Sequence, residues 1–122
     1  MRGAVHALRQ KGMTPAFTLQ NMTEFWNAST RPIERNGFGL NVAETERNAR
    51  VIERSFAFLP DTEAVYREWR TIVVQYGISG VQVHDARLVA AMYAHQINRI
   101  LTLNASDFNR FRGISVVDPH HI

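Results

Sequence analysis

The chain contains no cysteine among its 122 residues, which excludes disulfide scaffolds, thiol nucleophiles and zinc–cysteine centres. It also lacks any apolar run approaching the roughly 20 residues that a membrane-spanning helix needs. No signal-peptide pattern opens the sequence, because Arg2, Arg9 and Lys11 are scattered through its first residues. We therefore expect a cytoplasmic protein, and the chain length predicts a single domain over residues 1–122.

Lysine is almost absent, since thirteen of the 14 basic residues are arginine, and the net charge is +3. Arginine presents a planar fork of donors that matches phosphate, which favours nucleic acid or an acidic protein as a partner. The net charge is modest, however, and an arginine excess also follows from genomic base composition. Charge alone does not decide between these two explanations.

Short apolar segments alternate with amphipathic ones along the chain. The predicted strands are Ala16–Leu19, a short end at Phe58–Leu59, Arg99–Leu103 and Ile114–Val117. Between them, helices are predicted to begin near Gln20, Asn41, Asp61 and Asp85. This alternation is typical of an α/β fold with a mainly parallel sheet, in which sites lie at the carboxyl ends of the strands.

Two of these helices carry further signals. Asn41 followed by Glu44 has the form of a capping box, which fixes a helix start. The helix that begins at Asp85 is apolar nearly all round from Ala86 to Tyr93, and this predicts burial on most sides.

Three acidic residues combine apolar neighbours with a position near a predicted strand end or helix start: Glu24, Asp85 and Asp107. Carboxylate oxygens are the ligands that Mg²⁺ and Mn²⁺ prefer, so we expect the three side chains to line one cleft. Each residue also has an ordinary explanation. Asp85 can be a helix N-cap, Asp107 the cap of a local turn, and Glu24 an exposed helix residue.

Several segments, in this order, resemble PIN-domain proteins, and among them the VapC-type ribonuclease toxins of bacterial toxin–antitoxin pairs. The N-terminal segments are Gln20–Asn27, which contains Glu-Phe-Trp, then Thr30-Arg31-Pro32 and Asn36–Leu40. The C-terminal segments are His84–Met92, Ile100–Asn104 and Asp107-Phe108. The resemblance covers nearly the whole chain, and the ordered set is more specific than any one segment.

The resemblance implies a three-layer α/β/α fold and an endoribonuclease that uses Mg²⁺ or Mn²⁺ to hydrolyse RNA phosphodiesters. It implies metal-binding carboxylates at Glu24 and Asp85, and a further position that falls on either Asn104 or Asp107. The implied partners are an RNA substrate and an antitoxin protein, with no membrane involved.

Other polar residues allow a functional and a structural interpretation. Arg110 and Arg112, beside Phe111, are candidates for contacting the RNA backbone, and a solvated surface is the equal alternative. His84 and His95 each lack a histidine partner at helical i, i+4 spacing, which favours a structural role over metal binding.

The chain departs from the family at its start. Members of the family begin with a strand that carries an aspartate, whereas no Asp or Glu precedes Glu24 here. We therefore expect the first strand and first metal ligand to be missing, either by truncation or because the chain is a natural remnant. Cleavage is then expected to be feeble or absent, and the uncovered sheet edge to be buried in a homodimer. The alternative function is a catalytically silent PIN-fold module that pairs with an antitoxin or with itself.

Overall fold

The computed structural model describes residues 14–102 and 105–117, together with His6 and Gln10. The chain divides into two compact units. The small unit is Thr14–Leu59, and the described residues from Pro60 onwards belong to the large unit. Each unit combines helices with one pair of parallel strands, so the predicted α/β class is confirmed. The prediction of a single domain stays a prediction.

The small unit places two helices beside a parallel strand pair. Its elements are β1 (Ala16–Thr18), α1 (Leu19–Thr30), a 3₁₀ turn (Ile33–Arg35), α2 (Val42–Ser55) and β2 (Ala57–Leu59). In the register of β1 and β2, Phe17 lies opposite Phe58, and the two ring centroids are 5.2 Å apart. Aromatic rings at this separation attract each other beyond their simple burial, so this pair stabilises the strand pairing.

Both helices of the small unit begin with a capping box. At the start of α1, the Thr18 hydroxyl accepts a hydrogen bond from the Asn21 backbone N–H at 3.1 Å, and the Asn21 side chain accepts from the Thr18 N–H at 2.9 Å. At the start of α2, Asn41 Oδ1 accepts from the Glu44 N–H at 2.8 Å, and Glu44 Oε1 accepts from the Asn41 N–H at 3.2 Å. The helix start predicted at Asn41 is therefore confirmed.

The large unit contains two longer helices followed by a second parallel strand pair. Its elements are α3 (Glu63–Gln75), α4 (Gln82–Ala94), β3 (Arg99–Leu101), a 3₁₀ turn (Ala105–Asp107) and β4 (Ser115–Val117). In the register of β3 and β4, Ile100 lies opposite Val116. β3 is shorter than predicted, since Thr102 already lies outside the strand, and residue 103 lies outside the described residues.

The core of the large unit forms where α3 packs against α4. Val65 and Ile72 of α3 are buried, as are Ala86, Val89 and Ala90 of α4. All five belong to one hydrophobic cluster. The burial predicted for most sides of α4 is therefore confirmed.

The N-cap of α3 lies one residue beyond Asp61, near which the helix was predicted to begin. Thr62, and not Asp61, is the N-cap, and its hydroxyl accepts a hydrogen bond from the Val65 N–H at 3.4 Å. The Asp61 carboxylate accepts a hydrogen bond from Arg87 Nη2 of α4 at 2.6 Å. Asp61 is therefore engaged in an ion pair between the start of α3 and the neighbouring helix, which local sequence does not reveal.

All helices in the described part of the chain are short, and the longest, α2, has 14 residues. None of the helices found in residues 14–102 and 105–117 combines the length and the apolar character needed to cross a membrane. This result agrees with the absence of long apolar runs from the sequence.

We predict that Asn41→Ala lowers the free energy of unfolding by about 1 kcal/mol, because it removes the side-chain oxygen that accepts the hydrogen bond from the Glu44 N–H. Urea unfolding followed by circular dichroism measures this change. The matched control is Asn48→Ala, at an exposed position inside the same helix. There alanine improves helix propensity, and stability should stay the same or rise slightly. Equal losses from both substitutions would contradict the role of the cap.

Candidate functional site

Asp85 lies in the first turn of α4. The N-cap of this helix is Val81, so Asp85 is not the cap that one interpretation of the sequence proposed. Its side chain is half-buried, and the next residue, Ala86, is completely buried in the core. A negative charge in the first turn of a helix is stabilised by the positive end of the helix dipole.

Asp107 is the last residue of the 3₁₀ turn that follows β3. Its side chain is exposed, whereas the adjacent Phe108 is only 5% exposed. Backbone N–H groups of Phe108 and Asn109 both donate to the Ala105 carbonyl at 3.1 Å, which closes the turn. Burial of Phe108 thus anchors a turn whose acidic residue faces solvent. Asn104, the alternative to Asp107 in the sequence analysis, lies outside the described residues.

The segments that carry Asp85 and Asp107 pack on the same core. Ala86 and Phe108, the residues that follow the two aspartates, belong to one hydrophobic cluster, together with Phe111. A direct polar contact also joins the segments, since Arg110 Nη2 donates a hydrogen bond to Gln82 Oε1 at 3.0 Å. The loop after the 3₁₀ turn is therefore attached to the first turn of α4.

Glu24 belongs to the small unit, where its exposed side chain lies on α1. Within neither unit do the described residues bring three or more His, Asp or Glu side chains together as a metal-binding group. The predicted cleft that contains Glu24, Asp85 and Asp107 therefore stays a prediction. What the large unit provides by itself is Asp85 and Asp107 on segments that share a core.

Two tyrosines clamp the backbone of Arg112. The Tyr93 hydroxyl donates a hydrogen bond to the Arg112 carbonyl at 2.5 Å, and the Tyr76 hydroxyl accepts one from the Arg112 N–H at 3.0 Å. The Tyr76 ring also packs against Phe111, with centroids 5.1 Å apart. Sequence patterns do not reveal this clamp, because Tyr93 on α4 and Tyr76 at the end of α3 both continue the apolar spacing of their helices. A signal for it exists, since a tyrosine hydroxyl in a packed region needs a hydrogen-bond partner.

The candidate RNA-binding arginines are both exposed, and both are held by neighbours. The Arg110 guanidinium lies 5.2 Å from the centroid of the Phe111 ring and is hydrogen-bonded to Gln82. The two tyrosines hold Arg112 through its backbone carbonyl and N–H. The Arg112 guanidinium takes no part in these two hydrogen bonds. Exposed arginines on a fixed loop are suited to binding phosphate, because less chain entropy is lost on binding.

Burial and a neighbouring phenol raise the pKa of Tyr93 from 10.0 to about 12. Desolvation is the largest cause, followed by the charge repulsion and the hydrogen bond of Tyr76, and Arg112 acts in the opposite direction. The neutral phenol that donates to Arg112 is therefore the stable form over the whole physiological range.

The imidazole of His95 lies 2.9 Å from the Pro60 carbonyl oxygen, measured from Nε2. This contact connects the end of α4 to the segment that precedes α3. The structural role that the sequence favoured for His95 agrees with this contact.

No family model and no curated protein matches the sequence. Among solved structures, the chain is similar to a chain described as a toxin–antitoxin complex from Klebsiella pneumoniae, with a TM-score of 0.65 and 20% sequence identity. The match covers 100% of this chain and 88% of that chain. At this level of identity, the likeness establishes a shared fold.

We predict that the raised pKa of Tyr93 makes the protein less stable in strong base. The folded state holds the phenol proton more tightly than the unfolded state, so stability is constant below about pH 10 and falls as the pH rises towards 12. Urea unfolding at about pH 9 and about pH 11 measures the loss. Tyr93→Phe should show a smaller loss between these pH values than the wild type. The control Tyr66→Phe, at a residue that is 58% exposed, should keep the wild-type loss.

Proposed function

We propose that this protein is a member of a toxin–antitoxin pair, with a PIN-like three-layer fold and a metal-dependent ribonuclease site on its large unit. The observation that carries the proposal is the fold shared, over the whole chain, with a chain of a toxin–antitoxin complex. The ordered segments that resemble VapC-type toxins support the same assignment. Because one fold can serve many functions, the ribonuclease part of the proposal depends on the site residues.

The carboxylates of Asp85 and Asp107 would hold the cation. Their oxygens fit Mg²⁺ or Mn²⁺, which proteins bind through one or two carboxylates while several waters are kept. When bound, such a cation lowers the pKa of a coordinated water and offsets charge on the scissile phosphate. α4 orients Asp85, and the turn anchored by Phe108 orients Asp107. Glu24 as a further ligand rests on the sequence alone.

Arg110 and Arg112 would bind the phosphate backbone of a single-stranded RNA. Both guanidinium groups are exposed, and their loop is attached to the helix start that carries Asp85. Contacts to phosphate fix the register of an RNA on a protein but do not read its sequence. In this proposal the arginines position the RNA, and the metal-binding carboxylates act at the phosphodiester.

The second candidate function is a silent module that pairs with an antitoxin or with a second copy of itself. Large apolar side chains on the surface favour it, since Val81 is 83% exposed and Val74 is 74% exposed in the large unit. Light scattering on the purified protein tests for the homodimer.

We predict slow cleavage of single-stranded RNA that requires Mg²⁺ or Mn²⁺. Asp85→Asn and Asp107→Asn should each lower the rate by at least about tenfold, because an amide holds a divalent cation less firmly than a carboxylate does. The matched control is Glu63→Gln, an exposed carboxylate of the same unit that pairs with Arg67 on the surface. This control should cleave like the wild type, because exposed ion pairs contribute little to stability.

Cleavage that persists unchanged in Asp85→Asn would exclude the proposed site. A wild-type protein that fails to cleave but binds a partner stably would instead support the silent module. Mn²⁺ titration by calorimetry separates the two when the wild type is compared with Asp85→Asn and Asp107→Asn, since binding that is lost in these variants reports metal at the proposed site whether or not RNA is cut.

A further inference from the structure

The loop Asn36–Leu40 of the small unit plays no part in the proposed ribonuclease site. It connects the 3₁₀ turn to the segment that precedes α2. At its centre the Phe38 side chain is 71% exposed, although phenylalanine is among the residues most often buried in folded proteins. It is more exposed than Tyr66, at 58%, or Phe58, at 52%. Packing of the small unit therefore does not account for the presence of this ring.

Hydrogen bonds fix the backbone of this loop on the end of α1. Three consecutive N–H groups donate to carbonyl oxygens of α1 and its C-cap: Phe38 to Ala28 at 3.0 Å, Gly39 to Arg31 at 2.9 Å, and Leu40 to Ser29 at 2.9 Å. Gly37 permits the close approach, since a Cβ atom there would lie only 1.9 Å from the Arg31 carbonyl oxygen. The exposed ring of Phe38 is thus attached to a fixed backbone, so little backbone entropy is lost when a ligand binds to it.

Two arginines accompany the exposed ring. Arg35 ends the 3₁₀ turn three residues before Phe38, its side chain is exposed, and it takes part in none of the ion pairs among the described residues. Arg31 is half-buried, and its Nη2 donates to the Asn36 carbonyl at 3.1 Å. The buried Nε of Arg31 has no hydrogen-bond partner in the described part of the chain. Because Glu34 is the one acidic residue between positions 31 and 40, the segment has a net positive charge and N–H donors that suit an anion such as phosphate.

A nucleotide matches this combination better than a protein surface does. An aromatic ring stacks on the face of any nucleobase, and arginine pairs with phosphate. A protein interface of ordinary size instead buries about 800 Å² on each partner, around a core of several apolar side chains. Between positions 31 and 40 only two large apolar side chains, Ile33 and Phe38, are strongly exposed, and charged and polar residues separate them. The loop therefore favours a nucleic acid over a protein as its ligand.

We propose that Phe38 is a base-stacking residue through which the small unit binds single-stranded RNA. An unpaired base stacks on the exposed ring, and a neighbouring phosphate pairs with Arg35. The strand must be single, because the bases of a duplex are already stacked on each other. That the nucleic acid is RNA rests on the proposed function, but the residues assigned here lie outside the proposed ribonuclease site. Neither stacking nor arginine–phosphate pairing requires a metal ion.

Fluorescence anisotropy of a labelled single-stranded RNA of about 12 nucleotides, in the presence of EDTA, measures binding to the full chain. Phe38→Ala should weaken binding by at least about fivefold, the smallest loss expected when one base–aromatic stack is removed. Phe38→Leu should bind as weakly, because leucine keeps an apolar side chain but has no aromatic face. Phe38→Trp should bind at least as tightly as the wild type. The matched control Tyr66→Leu, which removes an exposed aromatic ring from the large unit, should leave binding unchanged.

Two further measurements separate the base from the phosphate. A strand of the same length without bases should bind the wild type at least about fivefold more weakly, and Phe38→Ala should reduce this difference. Arg35→Gln should make the slope of log K against log salt concentration shallower by about 0.7, the value expected for one phosphate contact on a single strand. Phe38→Leu should keep the wild-type slope, because stacking releases no counterions.

Circular dichroism checks that each variant is folded, as expected for substitutions of exposed side chains. The inference is overturned if the wild type does not bind the RNA, or if Phe38→Ala binds as tightly as the wild type. Loss of binding in Phe38→Ala but not in Phe38→Leu would also overturn it, since that result indicates a simple apolar contact. RNA binding that depends on Arg110 and Arg112 but not on Phe38 would overturn this inference alone and leave the proposed function intact. Conversely, binding that depends on Phe38 in a protein that does not cleave RNA would support the inference and count against the ribonuclease.

Discussion

Close packing of α4 is the constraint on which the large unit depends. Ala86, Ala90 and Ala91 are at most 1% exposed, so this helix contacts its surroundings through very small side chains. Small residues let neighbouring elements approach the helix backbone, where Val65 and Ile72 of α3 complete the core. Larger residues at the alanine positions would separate the packed elements, since well-packed cores do not absorb added volume without strain.

This packing also determines where polar residues of the candidate site lie. The first turn of α4 presents Asp85 directly beside the buried Ala86, so the position of the carboxylate follows from that of the helix. The loop that follows Asp107 is held on the same core by Phe108 and Phe111. Hydrogen bonds to Gln82, Tyr76 and Tyr93 restrict the loop further. The residues of the candidate site are therefore attached to a rigid, buried core.

The small unit follows a different principle, because much of its apolar surface stays uncovered. Phe17 is buried against Phe58, yet Phe58 itself is half exposed. Capping boxes at Thr18 and Asn41 supply the local order of its two helices. A unit held by local hydrogen bonds and one aromatic pair can leave large apolar side chains exposed, at the cost of a smaller core.

The sequence by itself determined the features that depend on neighbouring residues: the α/β class, the capping box at Asn41 and the buried face of α4. The interactions behind these features join residues only a few positions apart, so the sequence pattern reveals them. Only the tertiary structure decided the Asp61–Arg87 ion pair and the clamp on Arg112. The residues of these contacts are 26 and 19 or more positions apart, and polar side chains carry no local mark of a distant partner. The predicted role of Glu24 as a metal ligand requires its side chain to lie beside Asp85 and Asp107, which belong to the other unit. No local sequence pattern encodes such a long-range arrangement.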